Sequence, residues 1–318
     1  MERETKIIPI AMICDDAFVM PTCVAITSML ENKNEDTFYD IFIIMAECSE
    51  ESERYINAFE NEGCKLNIIR VDLSKYADIK QLAHVSKACL LKFDISELIP
   101  KYDKILYLDG DIIVRGDLYD FYSTELGDSY AAGVLDMENI ESYSGNINAG
   151  ILVYNAKKIR DEKLRDIMVE TRKSLGDRGS MDQQTFNIVT NKNYVYVPIK
   201  YNCIPGKILR DDTYPINKLN ELYKTEYANA HELVDDACII HYATSNKPWK
   251  YTFNEEAKEW YAYYLKSPYK DVPFKLRGRW EYRKDELLKV IKEKGIRGIF
   301  DKLKERKERK QKTNVKWE

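Results

Sequence analysis

Apolar residues fall along this chain in short runs separated by amphipathic stretches. Residues 6–14 form an apolar run of strand length that stops at Asp15-Asp16. Residues 20–31 predict a helix with Pro21 near its start, where a missing N–H is harmless. Residues 39–45 predict a second strand, 49–61 a helix closed by Gly63, and 66–71 a third strand. Residues 90–98 predict a helix that ends before Pro100. Residues 104–108 and 112–114 read as two buried strands, followed by strands at 130–135, 151–154, 194–198 and 238–241. Helices are predicted at 163–175 and 182–190. Strands alternating with helices imply an α/β fold with a mostly parallel sheet covered by helices on both faces. Such sheets bind ligands beyond the carboxyl ends of their strands. Asp15 and Asp109 both stand at predicted strand ends and would border one crevice.

Composition narrows the class. The 318 residues are 44% apolar, enough for a sizeable core. The seven cysteines are scattered and form no CxxC pair, which argues against a zinc ribbon or a secreted disulfide scaffold and favours a reducing cytoplasm. Asp15-Asp16 directly after the first apolar run speaks against a signal peptide, and no run approaches membrane-spanning length. Tyrosine outnumbers phenylalanine 23 to 10, a mild pointer to surfaces that are half apolar and half hydrogen-bonding.

The chemistry begins at Leu108-Asp109-Gly110-Asp111. In an extended chain, residues two apart share a side, so both carboxylates would aim at one point. Adjacent carboxylates resist joint ionisation unless a cation lies between them. A divalent ion with oxygen ligands, Mg²⁺ or Mn²⁺, would satisfy both and keep positions for phosphate oxygens.

Three further segments accompany this one: Asn148-Ala149-Gly150 before a strand, Met181-Asp182-Gln183-Gln184 opening a helix, and His241-Tyr242-Ala243-Thr244-Ser245-Asn246-Lys247-Pro248-Trp249 after a short strand. Together they resemble glycosyltransferase family 8, retaining enzymes typified by bacterial lipooligosaccharide α-galactosyltransferases and glycogenin. The resemblance runs in order from about Ile7 to Trp249. It implies a GT-A fold with a Rossmann-like sheet, a UDP-hexose donor, and Mn²⁺ (or Mg²⁺) held by Asp109, Asp111 and His241. It places Lys247 and Lys92 near the diphosphate, Asp15 at the uracil edge, and Gly110 with Asp109 and Asp111 among the cofactor-binding residues. Asn148, Asp182 and Gln183 become donor-sugar and catalytic residues, and His84 and Asp136 acceptor-side residues. In this family no carboxylate nucleophile is convincingly placed, and the resemblance favours a front-face retaining mechanism. Helix capping is the plainer role for Asp15 and Asp182.

The sequence departs from the family pattern in two places. Ala17 and Phe18 stand where Asn and Tyr are common, which puts a ribose contact in doubt. Thr244 stands where glycine is common beside the phosphates. The implied reaction is transfer of galactose or glucose to a hydroxyl of a cell-surface glycan or glycolipid. The alternatives are a glycogenin-like transfer to protein and a non-catalytic UDP-sugar-binding protein.

Charge divides the chain. Residues 276–318 hold 16 Lys+Arg against 8 Asp+Glu, whereas residues 1–275 hold 33 against 45. The reading is a catalytic domain over 1–275 and a basic amphipathic helical tail over 276–318, with Ile296, Ile299, Phe300 and Leu303 on one face. Residues 285–312 would lie on an anionic membrane surface, making the enzyme peripheral on the inner face of the plasma membrane. Nucleic acid is not an expected partner, because no basic groove with interleaved aromatics occurs.

Overall fold

The computed structural model describes residues 5–59, 63–79, 86–137, 145–176, 178, 181–210, 214–252, 257–285, 287–288 and 290–292. Among them the strands are β1 (Lys6–Ile13), β2 (Thr37–Met45), β3 (Cys64–Arg70), β4 (Lys104–Leu108), β5 (Ile112–Val114), β6 (Ala131–Leu135), β7 (Ile147–Asn155), β8 (Tyr194–Tyr196) and β9 (Ile239–His241). One sheet has the order β3-β2-β1-β4-β7-β6-β8, and β5 pairs with β9 in a separate two-stranded sheet. Neighbours in the large sheet are parallel except that β7 runs antiparallel to β4 and β6.

The central strands are apolar on both faces because both faces are covered. Ile8, Ile10, Met12, Ile41, Ile43, Leu106 and Leu108 belong to one core with the helix Val19–Asn32. Ala11, Phe42, Ile44, Ile105 and Tyr107 belong to a second core with Ile95, Ile159 and Met168. Successive side chains point to opposite faces, so a strand buried on both sides appears as a continuous apolar run.

The structure corrects several details of the sequence reading. The segment read as a helix over 90–98 is a run of 3₁₀ turns, Lys87–Asp94, passing into one α-turn, Ile95–Leu98. Polar tertiary contacts set that path: buried Asp94 accepts from Tyr76 Oη at 2.6 Å and pairs with Lys75 and Arg165. β7 begins at Ile147, earlier than expected, because Asn187 bonds both the N–H and the C=O of Ile147 as a partner strand would. The helices Ala156–Asp161, Ile216–Tyr223, Ala230–Asp235 and Ala257–Tyr264 were not foreseen. Each has eight residues or fewer, too few for helical periodicity to stand out.

Strand directions bring three pieces of chain to one sheet edge. β1 and β4 end there and the antiparallel β7 begins there. Ile151 opposes Leu108, and Asp109 N–H donates to Gly150 O at 2.8 Å. The small sheet supplies the fourth piece: His241 opposes Ile112, and Tyr242 N–H donates to Asp111 O at 2.8 Å.

Beyond β9 the chain returns to the body. Trp249 packs edge-on to Phe18 and against the fully buried Trp260. Arg277 pairs through its backbone with Lys250 and Thr252. Residues 279–285, 287–288 and 290–292 are helical, while Ile296, Ile299, Phe300 and Leu303 lie outside the described residues. No helix among the described residues is long and apolar enough to cross a membrane.

Candidate active site

Asp109 and Asp111 meet, but not as alternate residues of one extended strand. The chain bends at Gly110-Asp111 because β4 and β5 lie in different sheets. Gly110 permits the bend to press on the helix beneath, since a Cβ there would lie 2.3 Å from Thr22 Oγ1. One ligand atom from each of Asp109, Asp111 and His241 lies within 4.8 Å of the others. His241 Nε2 is 3.3 Å from Asp111 Oδ1 and 3.8 Å from Asp109 Oδ2. Gly150 keeps the concavity open: a Cβ there would lie 2.5 Å from His241 Cε1 and 2.6 Å from Asp109 Oδ2. Two carboxylates and an imidazole nitrogen around such a cradle suit a small divalent cation.

Cations of the protein itself balance these acids. Burial works against the charge on Asp111, but Lys247 and His241 outweigh it and hold the carboxyl far below the usual range. Lys247 bonds Asp111 Oδ2 and donates to Tyr242 O at 2.6 Å. Lys92 places its ammonium 3.2 Å from Asp109 Oδ1, 2.6 Å from Asp182 Oδ2 and 3.1 Å from Ala149 O. Burial would discharge it, yet Asp109 and Asp182 more than compensate and raise its pKa well above that of an ordinary lysine. Three oxygens thus surround this ammonium, which can donate three hydrogens. Lys92 therefore serves here as a bridge between two carboxylates, and Tyr107 Oη donates to the same Asp109 oxygen.

A cavity of about 470 Å³ opens over the cluster. It is lined by Asp15, Lys92, Asp109, Gly110, Asp111, Asn148, Asp182, Gln183 and His241 together with Phe18, Tyr107 and Gly150. Asp15 also caps the 3₁₀ turn Asp16–Phe18 by accepting from Phe18 N–H at 3.2 Å, so its two readings coexist geometrically. Asp182 stands at the N-cap of Gln183–Val189 but makes no side-chain cap bond, its carboxylate being turned to Lys92. Thr244 leans on Gly206, where a Cβ would lie 2.8 Å from its methyl carbon. Asp136 lies behind the cavity: its Oδ2 accepts from Gln183 Nε2, and its buried Oδ1 makes no hydrogen bond, with Lys207 Nζ 3.7 Å away. His84 lies outside the described residues.

The sequence reading missed Tyr107, Lys207 and Asn202. Asn202 is 2% exposed and accepts from His241 Nδ1 at 2.8 Å. Its only signal was an amide between apolar neighbours, Ile199 to Ile204, where a buried polar group needs partners.

The profile of glycosyl transferase family 8 matches residues 9–252. A lipopolysaccharide 1,2-glucosyltransferase of Escherichia coli is 24% identical over 95% of this chain and 91% of its own length. Glycosyltransferase GlyF of Streptococcus pneumoniae is 24% identical over 80% of the chain, which spans 60% of that protein. The galactosyltransferase LgtC, solved with donor and acceptor sugar analogues, shares the fold with a TM-score of 0.67 at 23% identity, covering 84% of this chain and 98% of that one.

Proposed function

Because the chain belongs to glycosyl transferase family 8, we propose that it moves galactose or glucose from UDP to a hydroxyl of a cell-surface glycan or glycolipid, with retention at the anomeric carbon. The observation that carries this reading is the convergence of Asp109, Asp111 and His241 on one point in the cavity. These residues would hold Mn²⁺ or Mg²⁺, which when bound supplies Lewis-acid neutralisation of a departing diphosphate. The names of the E. coli glucosyltransferase and of LgtC support a hexose donor and a glycan acceptor.

The chain's own side chains then have distinct tasks. Asp15, beside Phe18 at the cavity wall, would accept from the uracil edge. Lys247, freed from Asp111 once a cation shares that carboxylate, would reach a phosphate oxygen. Asn148 and Asp182 would bond sugar hydroxyls and penalise the wrong epimer, since an unmatched buried polar group is costly. Gln183 has its amide fixed on both sides and would face the anomeric carbon as a rigid wall. Asp136, read from sequence as an acceptor-side residue, stands behind the cavity and would act through Gln183, whose amide it holds. No carboxylate is assigned as a nucleophile, so the acceptor would enter on the face from which the phosphate leaves.

The tail reading gains support from Trp280, Leu287, Leu288 and Ile291, which stand exposed on the final described helical residues among Arg279, Arg283 and Lys284. A basic helix with an apolar face suits an anionic leaflet, where a lipid-linked acceptor would reside.

The direct test is UDP release from a panel of UDP-sugars with Mn²⁺, with and without EDTA. One preferred donor and EDTA-sensitive turnover are expected. Asp111→Asn should lower kcat by at least about a hundredfold, because a cation ligand is lost where leaving-group charge develops. Turnover equal to wild type in that variant would refute the metal assignment.

A further inference from the structure

We propose that Asn202 is a positioning residue that sets the tautomer of His241 and ties the metal ligands to the sugar-facing side chains. Two backbone N–H groups, which can only donate, fix the amide directions here. Gly150 N–H lies 3.1 Å from a side-chain atom of Asn148, so that atom is the amide oxygen. Asn202 approaches the same oxygen at 2.8 Å and must present its NH₂ to it. The other end of the Asn202 amide is therefore its carbonyl, and it faces His241 Nδ1 at 2.8 Å. A carbonyl oxygen only accepts, so Nδ1 carries the hydrogen. With Nδ1–H engaged by Asn202, Nε2 is the nitrogen whose lone pair would serve a cation between Asp109 and Asp111, whose oxygens lie 3.8 and 3.3 Å away. A second ring hydrogen there would exclude a cation.

Ala149 N–H lies 3.1 Å from Gln183 Oε1, and Asn148 Nδ2 donates to that oxygen at 3.2 Å. Gln183 must then turn its NH₂ to Asp136, as observed. Every donor in the series meets an acceptor, so the amide directions are set by the backbone of β7. Asn202, from outside that strand, carries the order across to the metal ligand. Metal-ligating histidines depend on such an outer partner for ring orientation and basicity.

This inference rests on the reading of Asp109, Asp111 and His241 as metal ligands, and the experiment separates the two. Mn²⁺ binding to the full chain is followed by electron paramagnetic resonance for wild type, His241→Ala, Asn202→Leu and Asn202→Asp. Loss of binding in His241→Ala is expected; wild-type binding there would sink the metal reading itself. Asn202→Leu should weaken Mn²⁺ about 10- to 100-fold. Wild-type binding in Asn202→Leu, alongside loss in His241→Ala, would overturn only the present inference. Asn202→Asp keeps an acceptor for Nδ1–H but turns a second acceptor toward Asn148 Oδ1. It should restore Mn²⁺ binding while raising the KM for the UDP-sugar about tenfold, the scale of one lost buried hydrogen bond. Binding as weak as in Asn202→Leu would overturn the tautomer argument. Wild-type protein with ¹⁵N-labelled histidine and Mg²⁺ gives a second reading that needs no variant at Asn202. With only three histidines in the chain, the His241 signals are assignable by His241→Ala. A protonated Nδ1 is expected, and a protonated Nε2 overturns the proposal.

Discussion

At the scale of single residues, the site depends as much on missing atoms as on present ones. Gly150 supplies no ligand, yet its bare Cα leaves the room into which His241 and Asp109 converge. Gly150→Ala would force two of the proposed ligands apart. We expect Mn²⁺ affinity to fall at least about tenfold while global stability drops by roughly 1–3 kcal/mol, the usual cost of overpacking. Paired Mn²⁺ titration and urea unfolding measure both; intact affinity would mean that the cation binds elsewhere. Lys92 teaches a related lesson. The family resemblance assigns it to the diphosphate by its charge. The structure engages that charge with Asp109 and Asp182, a pairing that no inspection of residues 92, 109 and 182 in sequence would suggest.

At the scale of elements, buried charge also joins strands to their neighbours away from the site. Asp40 in β2 is bonded by Asn67 of β3, by Lys101 at 2.6 Å and by Tyr102 at 2.7 Å. Burial works to raise its pKa, but Lys101, Tyr102 and Asn67 together outweigh burial and hold it below the ordinary value. A carboxyl depressed in the folded state adds stability above its unfolded pKa of about 3.9 and loses it as pH falls through the folded value. Asp40→Asn should therefore be less stable than wild type at pH 7, by up to about 1 kcal/mol because Lys101 is half exposed. That gap should close as the pH falls below about 4. Urea melts of both proteins at the two pH values check the sign, and a gap that widened in acid would contradict it. Element directions matter in the same way for the site. Had β7 run parallel to β4, Asn148 would lie at the far edge of the sheet from Asp109.

At the scale of the whole molecule, an acidic body carries a basic end. Arg277 and Asp285 tie the start of that end to residues 250–252, next to the segment that holds Lys247. Ending the chain after Lys292 keeps those ties and removes most of the basic run. Such a protein should retain UDP release but lose binding to vesicles containing anionic lipid. Wild-type binding should weaken steeply between low and physiological salt, as surface electrostatics do. Sedimentation with anionic and neutral vesicles tests this, and equal binding by the shortened chain would refute the anchor.

How much of this was legible in advance follows from what sequence encodes locally. Apolar runs such as residues 104–108 fixed the existence of buried strands, because burial on both faces demands a particular residue composition. The α/β class and the acid pair at a strand end were readable for the same reason. The 3₁₀ path of Lys87–Asp94 was not, because contacts from Tyr76 and Arg165 to Asp94 override local preference. Nor was the bend at Gly110, which exists because β4 and β5 join different sheets. Asn202 was silent in sequence because a single amide has no pattern; its meaning comes from two partners 54 and 39 residues away. Local chemistry chose which side chains were available, and long-range strand pairing decided which of them share a hydrogen.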